Sequence, residues 1–389
     1  MAFGNKVPLA WRNLTESKPR LFASVAGAAF AVTLMFMENG FRNALLDSMV
    51  NVIERLDGEM VLVSPTLYTL AAPYSFPLQR LVQAGDFPEI ESTSPVYVVT
   101  RTGFWRRPDT GEQVRACVIG YPPEDDALDI PELKENRDLW SRPDTAMADL
   151  ESREDQFGAF EPGMTSEISG RRIEIAGTFS LGINVQTNGN IVMSDRNMMK
   201  VFPELDGPSL MDRKVTVGVL QVRPGADLDR LRAGLRAALP PDVRVLTKDQ
   251  FITQEREFWD KVAPVGTVFL IGVVMGFIVG AMICHQVLHA DISDRLSEFA
   301  TLKAMGYSNA KLLRVVLMQA FYLALLGYGA GLLVSVFLFD WVHRATSLPM
   351  DLSRNNPLAI LALTMVMCLG SGALAARSLV SVDPAQLFA

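Results

Sequence analysis

The chain has 389 residues, of which 49% are hydrophobic, with a mean hydropathy of +0.20 and a formal net charge of −7. Such a high hydrophobic content is unusual for a soluble protein and indicates a membrane protein with a large aqueous domain. The negative charge argues against a nucleic-acid partner, which normally requires a basic face or arm. The three cysteines, two of them in apolar runs, exclude an intradomain disulfide framework.

The N-terminal residues predict a cytoplasmic start followed by an uncleaved membrane helix. Residues 1–19 interleave Trp11 with apolar and basic residues, which predicts a cytoplasmic helix lying in the membrane interface. The run of about 17 apolar or small residues at 21–37 reaches the lower end of the length that crosses a bilayer, so we predict transmembrane helix 1 at 20–41. Glu38, at its far end, is either a polar helix end that reaches headgroups or water, or a polar contact at an interface.

Residues 42–262 predict a large α+β extracytoplasmic, periplasmic domain between transmembrane helices 1 and 2. Short runs rich in β-branched residues predict strands, and runs with helical spacing predict helices between them. Elements from both ends of the segment predict one lobe, with a second lobe inserted at about 124–210. The main predicted strands are MVLVS (60–64), SPVYVVTRTGFW (94–105), VRACVIGY (114–121), VTVGVLQV (215–222) and DVRVLT (242–247).

The longest apolar run lies at 263–289 and predicts transmembrane helix 2. Within this run Gly272, Gly276 and Gly280 recur every four residues and therefore share one stripe of the helix. Such a stripe permits close approach of another helix, although glycine is also common in membrane helices without this role. We predict a helix-packing face and favour a contact between subunits.

Residues 290–311 predict a cytoplasmic amphipathic helix and loop directly after transmembrane helix 2. From Asp291 to Met305 apolar residues recur at three- and four-residue steps, while the charged residues lie mostly on the other face. Gly306 follows the last apolar position and is suited to end the helix. The periodicity defines two faces but does not choose between lipid and a partner protein for either of them.

Two further membrane helices complete the predicted topology. Residues 312–340 and 357–377 predict transmembrane helices 3 and 4, joined by a periplasmic loop at 341–356 and followed by a cytoplasmic tail at 378–389. Basic flanks place the loop after helix 2 and the C-terminus in the cytoplasm. The chain is therefore predicted to cross the membrane four times, with both termini in the cytoplasm.

No motif in the sequence predicts catalysis. The sequence contains no P-loop, no Gly-x-Ser-x-Gly elbow and no His-Glu-x-x-His helix. His285 and His289 have a spacing that can bind a metal, but they lack a suitable third ligand and interfacial histidines are the favoured interpretation. The acidic run at 124–126 is interpreted as a solvated loop. We expect no catalytic, cofactor-binding or metal-binding residues and no enzymatic activity in this chain.

Several short stretches resemble those of a known family. They are PLAWRNL before transmembrane helix 1, LMFMENGFRNALLDS at its end, SEFATLKAMGYSNAKLL after helix 2 and VDPAQLF near the C-terminus. Together with the order of one span, a large outer domain and three spans, they resemble the MacB/FtsX-like family of ABC transporter permeases over essentially the whole chain. PLAWRNL and TNGNIVMSD most resemble the DevC branch of that family.

The resemblance implies the permease subunit of an ABC-type exporter in the bacterial inner (plasma) membrane. It implies a homodimer bound to a separate, LolD- or DevA-like ABC ATPase subunit, which uses ATP and Mg. ATP hydrolysis then moves the outer domains, with porter-like and sabre-like lobes, without a substrate tunnel through the spans. A membrane-fusion adaptor and an outer-membrane exit duct are further implied partners.

The resemblance also implies that the helix after span 2 contacts the ATPase, with polar contacts on one side and apolar side chains filling a groove. The implied coupling residues are Asp291, Arg295, Leu296, Glu298, Phe299, Leu302 and Lys303. Three alternatives stay open: an FtsX-like transmembrane signal transducer that activates a cell-wall hydrolase, a lipoprotein-releasing permease, and a membrane-anchored sensor. The sensor is disfavoured because no signalling domain follows any span.

Overall fold

The computed structural model describes residues 9–184, 186–187, 189–262, 265–346, 348, 350 and 356–377. The chain divides into a helical unit, residues 1–43, 265–342 and 350–389, and a sheet unit, residues 44–264 and 343–349. Some predictions fall wholly or partly outside the described residues: the start of the interfacial helix (1–8), residue 188 of the TNGNIVMSD stretch, the first two residues of helix 2 (263–264), part of the loop at 341–356, and the tail at 378–389 with its VDPAQLF stretch.

Helices make up most of the described helical unit, and in the sheet unit they connect the strands. In chain order they are α1 (Leu9–Thr15), α2 (Lys18–Glu54), α3 (Leu78–Gly85), α4 (Pro131–Glu135), α5 (Arg137–Trp140), α6 (Glu154–Phe157), α7 (Asp195–Val201), α8 (Leu228–Ala238), α9 (Lys248–Val262), α10 (Val265–Asp294), α11 (Leu296–Ala304), α12 (Asn309–Thr346) and α13 (Asn356–Ala375). Two short 3₁₀ helices lie at Pro203–Leu205 and Leu210–Asp212.

The strands all belong to the sheet unit. They are β1 (Met60–Val63), β2 (Phe76–Pro77), β3 (Ile90–Val99), β4 (Phe104–Arg106), β5 (Gln113–Arg115), β6 (Cys117–Tyr121), β7 (Thr145–Asp149), β8 (Met164–Ile168), β9 (Arg171–Phe179), β10 (Asn190–Ser194), β11 (Lys214–Val215), β12 (Val217–Val222) and β13 (Arg244–Thr247).

Four helices of the described chain are long and apolar enough to cross a membrane: Lys18–Glu54, Gly266–Asp294, Asn309–Thr346 and Pro357–Ala375. Their order confirms the predicted fold class, in which a large domain of mixed helices and strands lies between the first and second spans. The first of these helices, α2, is a single helix whose residues 18–43 belong to the helical unit and whose residues 44–54 belong to the sheet unit.

Close helix packing in the helical unit depends on small residues. A Cβ on Gly331 of α12 would lie 2.7 Å from Cβ of Val32 on α2, and a Cβ on Gly327 would lie 2.5 Å from Cβ of Ala28. Because glycine leaves this space empty, the backbones of α2 and α12 approach closely. The buried cluster around this contact includes Ala28, Ala31, Cys284, Leu323, Ala324, Met367 and Cys368.

The sheet unit is built on one mixed sheet of eleven strands in the order β13-β1-β12-β3-β6-β10-β7-β9-β8-β4-β5. The pairs β6/β10 and β7/β9 are parallel, and the other pairs are antiparallel. The strands from the two ends of the unit (β1, β3, β12 and β13) lie together, and those from residues 104–194 continue the sheet beyond β3. The limits of the proposed inserted lobe at 124–210 stay a prediction.

Both faces of the sheet are covered, which explains why its strands are continuous apolar runs. In β1, Met60 and Leu62 pack into one buried cluster, whereas Val61 and Val63 pack into the other. Alternate residues of a strand point to opposite faces, so a strand buried on both sides needs apolar residues throughout. The predicted strand MVLVS is therefore confirmed as β1, which is paired on both of its edges.

Two of the predicted strands are interrupted in the structure. The run at 94–105 divides into β3 and β4, and the run at 114–121 divides into β5 and β6 at Ala116. At this point the backbone N–H of Ala116 donates to the carbonyl of Gly103 (2.9 Å). Before the break β3 pairs with β6, and after it β4 pairs with β5 and β8.

Candidate functional site

Glu38 and Gly272 form a polar contact between two helices of the helical unit. Glu38 lies on α2 and is half-buried, and a Cβ on Gly272 of α10 would overlap its carboxyl carbon. The absence of a side chain on Gly272 therefore creates the space that the carboxylate occupies. Of the two interpretations of Glu38, the structure fits the interhelical contact, and that contact lies within one chain.

The remaining glycines of the stripe also face this chain's own helices. A Cβ on Gly280 would overlap Sδ of Met367 on α13 and would lie 2.6 Å from Cβ of Ala31 on α2. The space at Gly276 is less restricted, because a Cβ on this residue would lie 3.3 Å from Cγ of Met35. The stripe thus packs inside the unit, and the expected position between subunits is corrected because α2 and α13 already fill it.

The helix expected from Asp291 to Met305 begins later than the sequence indicates. Asp291 belongs to the last turn of α10, the backbone turns at Arg295 with φ −107° and ψ 18°, and α11 runs from Leu296 to Ala304. Gly306, with a positive φ of 91°, follows the end of α11. A positive φ is readily adopted by glycine, so this part of the expected helix end is confirmed.

A buried polar network fixes the turn between α10 and α11. The carboxylate of Asp291 accepts hydrogen bonds from Nε2 of Gln319 on α12 (3.1 Å) and from Nε of Arg295 (3.3 Å). Arg295 also forms ion pairs with Glu16 (2.7 Å) and Glu298 (3.8 Å). Because Asp291 and Gln319 are buried, removing one partner would leave the other without its bond, which is costly.

The apolar side of α11 faces the interior of the helical unit. Phe299 is 4% exposed and packs in a cluster with Ile292, Leu312 and Val316, while Leu296 and Leu302 pack against the same cluster. These side chains are therefore not free to fill a groove of another protein in this arrangement. That part of the expected coupling role is corrected, since the amphipathic pattern serves this chain's own core.

The opposite side of α11 and the turn after it are exposed. We call this the exposed α11 face, and Glu298, Met305 and Tyr307 are its largest members, with Met305 65% and Tyr307 46% exposed. The Nζ atom of Lys311 lies 5.3 Å from the centre of the Tyr307 ring. Lys303 is half-buried beside this face. The exposed residues from α11 to Tyr307 are Ser297, Glu298, Thr301, Ala304, Met305, Gly306 and Tyr307.

Sequence reasoning did not identify Gln319, Arg20 and Glu16 as parts of this region. Arg20 of α2 pairs with Asp294 (2.6 Å), and Glu16 pairs with Arg295 (2.7 Å), so N-terminal residues reach the end of α10. Gln319 did carry a signal, because an amide within an apolar helix usually faces a polar partner in the bundle. For Arg20 and Glu16 the local sequence holds no comparable signal, since basic and acidic residues are common beside membrane helices.

The described residues contain no group of three or more His, Cys, Asp or Glu side chains that could hold a metal ion. His285 and His289 lie with ring centres 5.9 Å apart on α10, and Nδ1 of His285 is 3.5 Å from the carbonyl of Ser371. Neither ring is joined by a third ligand from the described residues. The arrangement therefore gives no positive indication of metal chemistry.

Comparison with known proteins identifies the C-terminal part of the chain. Residues 269–384 match the family described as FtsX-like permease C-terminal. The chain is 22% identical over 187 residues to an uncharacterized ABC transporter permease of Methanocaldococcus jannaschii, covering 46% of this chain and 44% of that protein. This chain therefore spans less than half the length of the curated relative. Residues 269–384 thus match an FtsX-like permease domain, and the resemblance to FtsX-like permeases is confirmed over these residues; the DevC-like branch stays a prediction.

Two solved structures are similar to part of this chain. The periplasmic region of MacB from Actinobacillus actinomycetemcomitans is 10% identical and gives a TM-score of 0.36, covering 52% of this chain and 94% of that one. The extracellular domain of the noncanonic ABC-type transporter YknZ from Gram-positive bacteria is 14% identical and gives a TM-score of 0.33, covering 48% of this chain and 98% of that one.

Proposed function

We propose that this chain is the permease subunit of an ABC-type exporter and that it couples ATP hydrolysis by a separate ATPase subunit to movement of its sheet unit. The observation that carries the proposal is the FtsX-like permease domain at 269–384. In this proposal the chain itself performs no catalysis, and ATP and Mg are used by the ATPase.

The exposed α11 face is the proposed contact with the ATPase. It lies between the second and third candidate spans, where the basic flanks of the sequence favour the cytoplasm. Its combination of a carboxylate, two hydroxyls and the larger side chains of Met305 and Tyr307 suits a helix that docks into a groove of a partner. The buried network at Asp291 and the packing of Phe299 support this face from behind, so that a push on α11 moves α10 and α12 with it.

Two helices are the proposed levers of the sheet unit. Nη2 of Arg256 on α9 bridges Oδ1 of Asp47 (2.7 Å) and Oε1 of Glu54 (3.2 Å) on α2. The α2 helix continues from the helical unit, and α9 ends only three residues before α10 begins. Because a continuous helix is stiff along its axis, α2 is suited to transmit motion from the spans.

The other parts of the proposal concern the assembly. We infer a homodimer in the inner membrane with cytoplasmic termini and a periplasmic sheet unit, completed by a membrane-fusion adaptor and an outer-membrane exit duct. The negative charge of the chain and its apolar helices are compatible with membrane lipid as the surroundings and offer no basis for nucleic-acid binding.

Affinity purification of the tagged full chain from its native membranes in mild detergent tests the proposal. Mass spectrometry of the bound subunits is expected to identify an ABC ATPase together with an adaptor protein. Recovery of the ATPase with a cell-wall hydrolase would favour the signal transducer, and recovery of the ATPase with an outer-membrane lipoprotein would favour a lipoprotein-releasing permease. Absence of any ATPase would contradict all three forms of coupling.

A further inference from the structure

An open cavity of about 380 Å³ lies in the sheet unit and has both aromatic and cationic walls. Its aromatic wall consists of Tyr68, Phe258 and Trp259, and two arginines, Arg101 and Arg115, line it as well. Cavities of this volume are within the range that binds small ligands. The cavity is lined in part by α9, and the proposed function assigns no ligand to it.

The aromatic wall is continuous. The rings of Tyr68 and Phe258 have centres 5.1 Å apart, and those of Phe258 and Trp259 have centres 5.2 Å apart in an edge-to-face arrangement. Tyr68 remains 46% exposed, so its ring is available to a ligand. Tyrosine and tryptophan rings favour the boundary between an apolar and an aqueous environment, because one part of the side chain is apolar and another is polar.

The two arginines provide positive charge that the described protein does not neutralise. Arg101 and Arg115 are exposed, and neither guanidinium forms an ion pair or a side-chain hydrogen bond with any residue in the described ranges. A guanidinium presents several donors in a plane and binds phosphate or carboxylate oxygens through paired hydrogen bonds. The cavity is thus suited to an anionic group.

A buried carboxylate holds the aromatic wall in place. Glu255 is 1% exposed and accepts hydrogen bonds from Oγ1 of Thr69 (2.6 Å), the backbone N–H of Leu70 (2.8 Å) and Nε1 of Trp259 (2.8 Å). Burial raises the pKa of Glu255, and these three donors oppose that shift. Since Thr69 and Trp259 line the cavity, Glu255 fixes two of its wall residues before any ligand arrives.

A neighbouring cavity of about 350 Å³ adds apolar surface. It shares Ala71, Thr100 and Arg101 with the first cavity. Its other walls include apolar residues such as Val99 and Leu205 and the charged residues Glu204 and Lys214. The same arginine therefore borders a mixed cavity on one side and a mainly apolar cavity on the other. A ligand with an acidic group and an apolar part matches this arrangement better than a purely ionic one.

We propose that the cavity between α9 and the segment that follows β3 binds the headgroup of an anionic membrane lipid, with the acidic group on Arg101 and Arg115 and the apolar part on Tyr68 and Phe258. Chain connectivity supports a lipid as the source. Val262 lines the cavity and precedes the start of the apolar helix α10 at Val265 by three residues, a span of at most about 11 Å of extended chain. Lipid headgroups are therefore within reach of the cavity.

Isothermal titration calorimetry on the purified full chain in nanodiscs of neutral phosphatidylcholine tests the proposal. The probes are short-chain phosphatidylglycerol, short-chain phosphatidylcholine and inorganic phosphate. Phosphatidylglycerol is expected to bind at least tenfold more tightly than either of the others. The double variant Arg101→Gln/Arg115→Gln is expected to lose at least tenfold in affinity for phosphatidylglycerol, and each single variant less.

The matched control is Arg171→Gln/Arg230→Gln, which removes two exposed arginines that line neither cavity and should leave the affinity unchanged. Phe258→Ala should weaken binding of phosphatidylglycerol without changing that of phosphate. Equal affinity for phosphate and phosphatidylglycerol would overturn the lipid assignment, and equal affinity for the two lipids would overturn the role of the arginines. An unchanged affinity in the double variant would overturn the site itself. Because binding is measured without an ATPase, none of these outcomes depends on the proposed function.

Discussion

Phe299 shows how a single residue decides what α11 can contact. Its ring is buried among Ile292, Leu312 and Val316, so that α11 rests on the helical unit through its apolar side. Filling a partner's groove with this ring would require exposure of the cluster. Only the polar side of α11 is then available to another protein. A substitution of Phe299 therefore changes the stability of the fold before it changes any contact with the ATPase.

Phe299→Ala is expected to destabilise the chain by about 3–5 kcal/mol, because a large buried ring is replaced by a cavity. Thermal unfolding of the detergent-purified chain should therefore show a clearly lower Tm. Phe337→Ala on α12 is the matched control, since Phe337 is 75% exposed and leaves no cavity behind. An equal Tm for the two variants would contradict the inward orientation of Phe299.

Asp125 is a second residue whose environment differs from the expected solvated loop. Glu124 and Asp126 are exposed, as expected, but Asp125 is half-buried. Burial, with the nearby charge of Glu124, raises the pKa of Asp125 to about 6. The pKa in the unfolded chain is about 3.9, so the fold disfavours the ionised carboxyl, and stability falls as the pH rises from 4 through 6.

Asp125→Asn should therefore raise the Tm relative to the wild type at pH 8, and this advantage should shrink as the pH falls towards 4. Thermal unfolding of both proteins across this range is the measurement. Glu135→Gln, on the exposed side of α4, controls for the loss of one negative charge and should show no such trend. An advantage of Asp125→Asn that does not change with pH would mean that the carboxyl is not the titrating group.

At the scale of elements, the glycine stripe determines how closely α10 packs on α2 and α13. Gly280 has no free space, because Ala31 and Met367 occupy the position of a side chain, whereas Gly329 on α12 has no atom within 4 Å of a built Cβ. The two positions share the same intrinsic preference of a helix for alanine over glycine. A comparison of alanine substitutions at Gly280 and Gly329 therefore distinguishes the effect of helix packing from that of helix propensity.

Gly280→Ala should lower the Tm of the purified chain, because the methyl group pushes α10 away from Ala31, which has no flexible atoms to move aside. Gly329→Ala should leave the Tm unchanged or raise it by the helix-propensity gain of about 0.5–1 kcal/mol. A Tm for Gly280→Ala at or above that of Gly329→Ala would show that the stripe does not pack as described.

Sequence patterns predicted elements whose environment is local and missed features that depend on distant residues. The strand at 60–64 was predictable because both of its faces are buried and its residues are apolar throughout. The start of α11 could not be predicted, because the turn before it is fixed by a hydrogen bond from Gln319, 28 positions along the chain, to Asp291. Periodicity likewise cannot tell whether an apolar face meets a partner or the same chain, which is why the orientation of Phe299 was wrong.

At the scale of the whole molecule, the proposed function requires force to pass from the permease domain to the sheet unit. The α2 helix contributes residues to both units. In the sheet unit Arg256 bridges α9 to Asp47 and Glu54 on α2. In the proposed function the ATPase acts on the exposed α11 face, so a change confined to that face should uncouple the ATPase without disturbing either unit.

The most direct test is the amount of ABC ATPase that co-purifies with Glu298→Lys. Glu298 is 64% exposed and pairs only loosely with Arg295, so the substitution reverses a charge on the exposed α11 face at little cost to the fold. Glu257→Lys on α9 is the matched control, with 62% exposure and a pair to Lys261 one helical turn away. We predict at least a tenfold loss of the ATPase with Glu298→Lys and normal recovery with Glu257→Lys, both variants being equally abundant in the membrane. Normal recovery of the ATPase with Glu298→Lys would contradict the account.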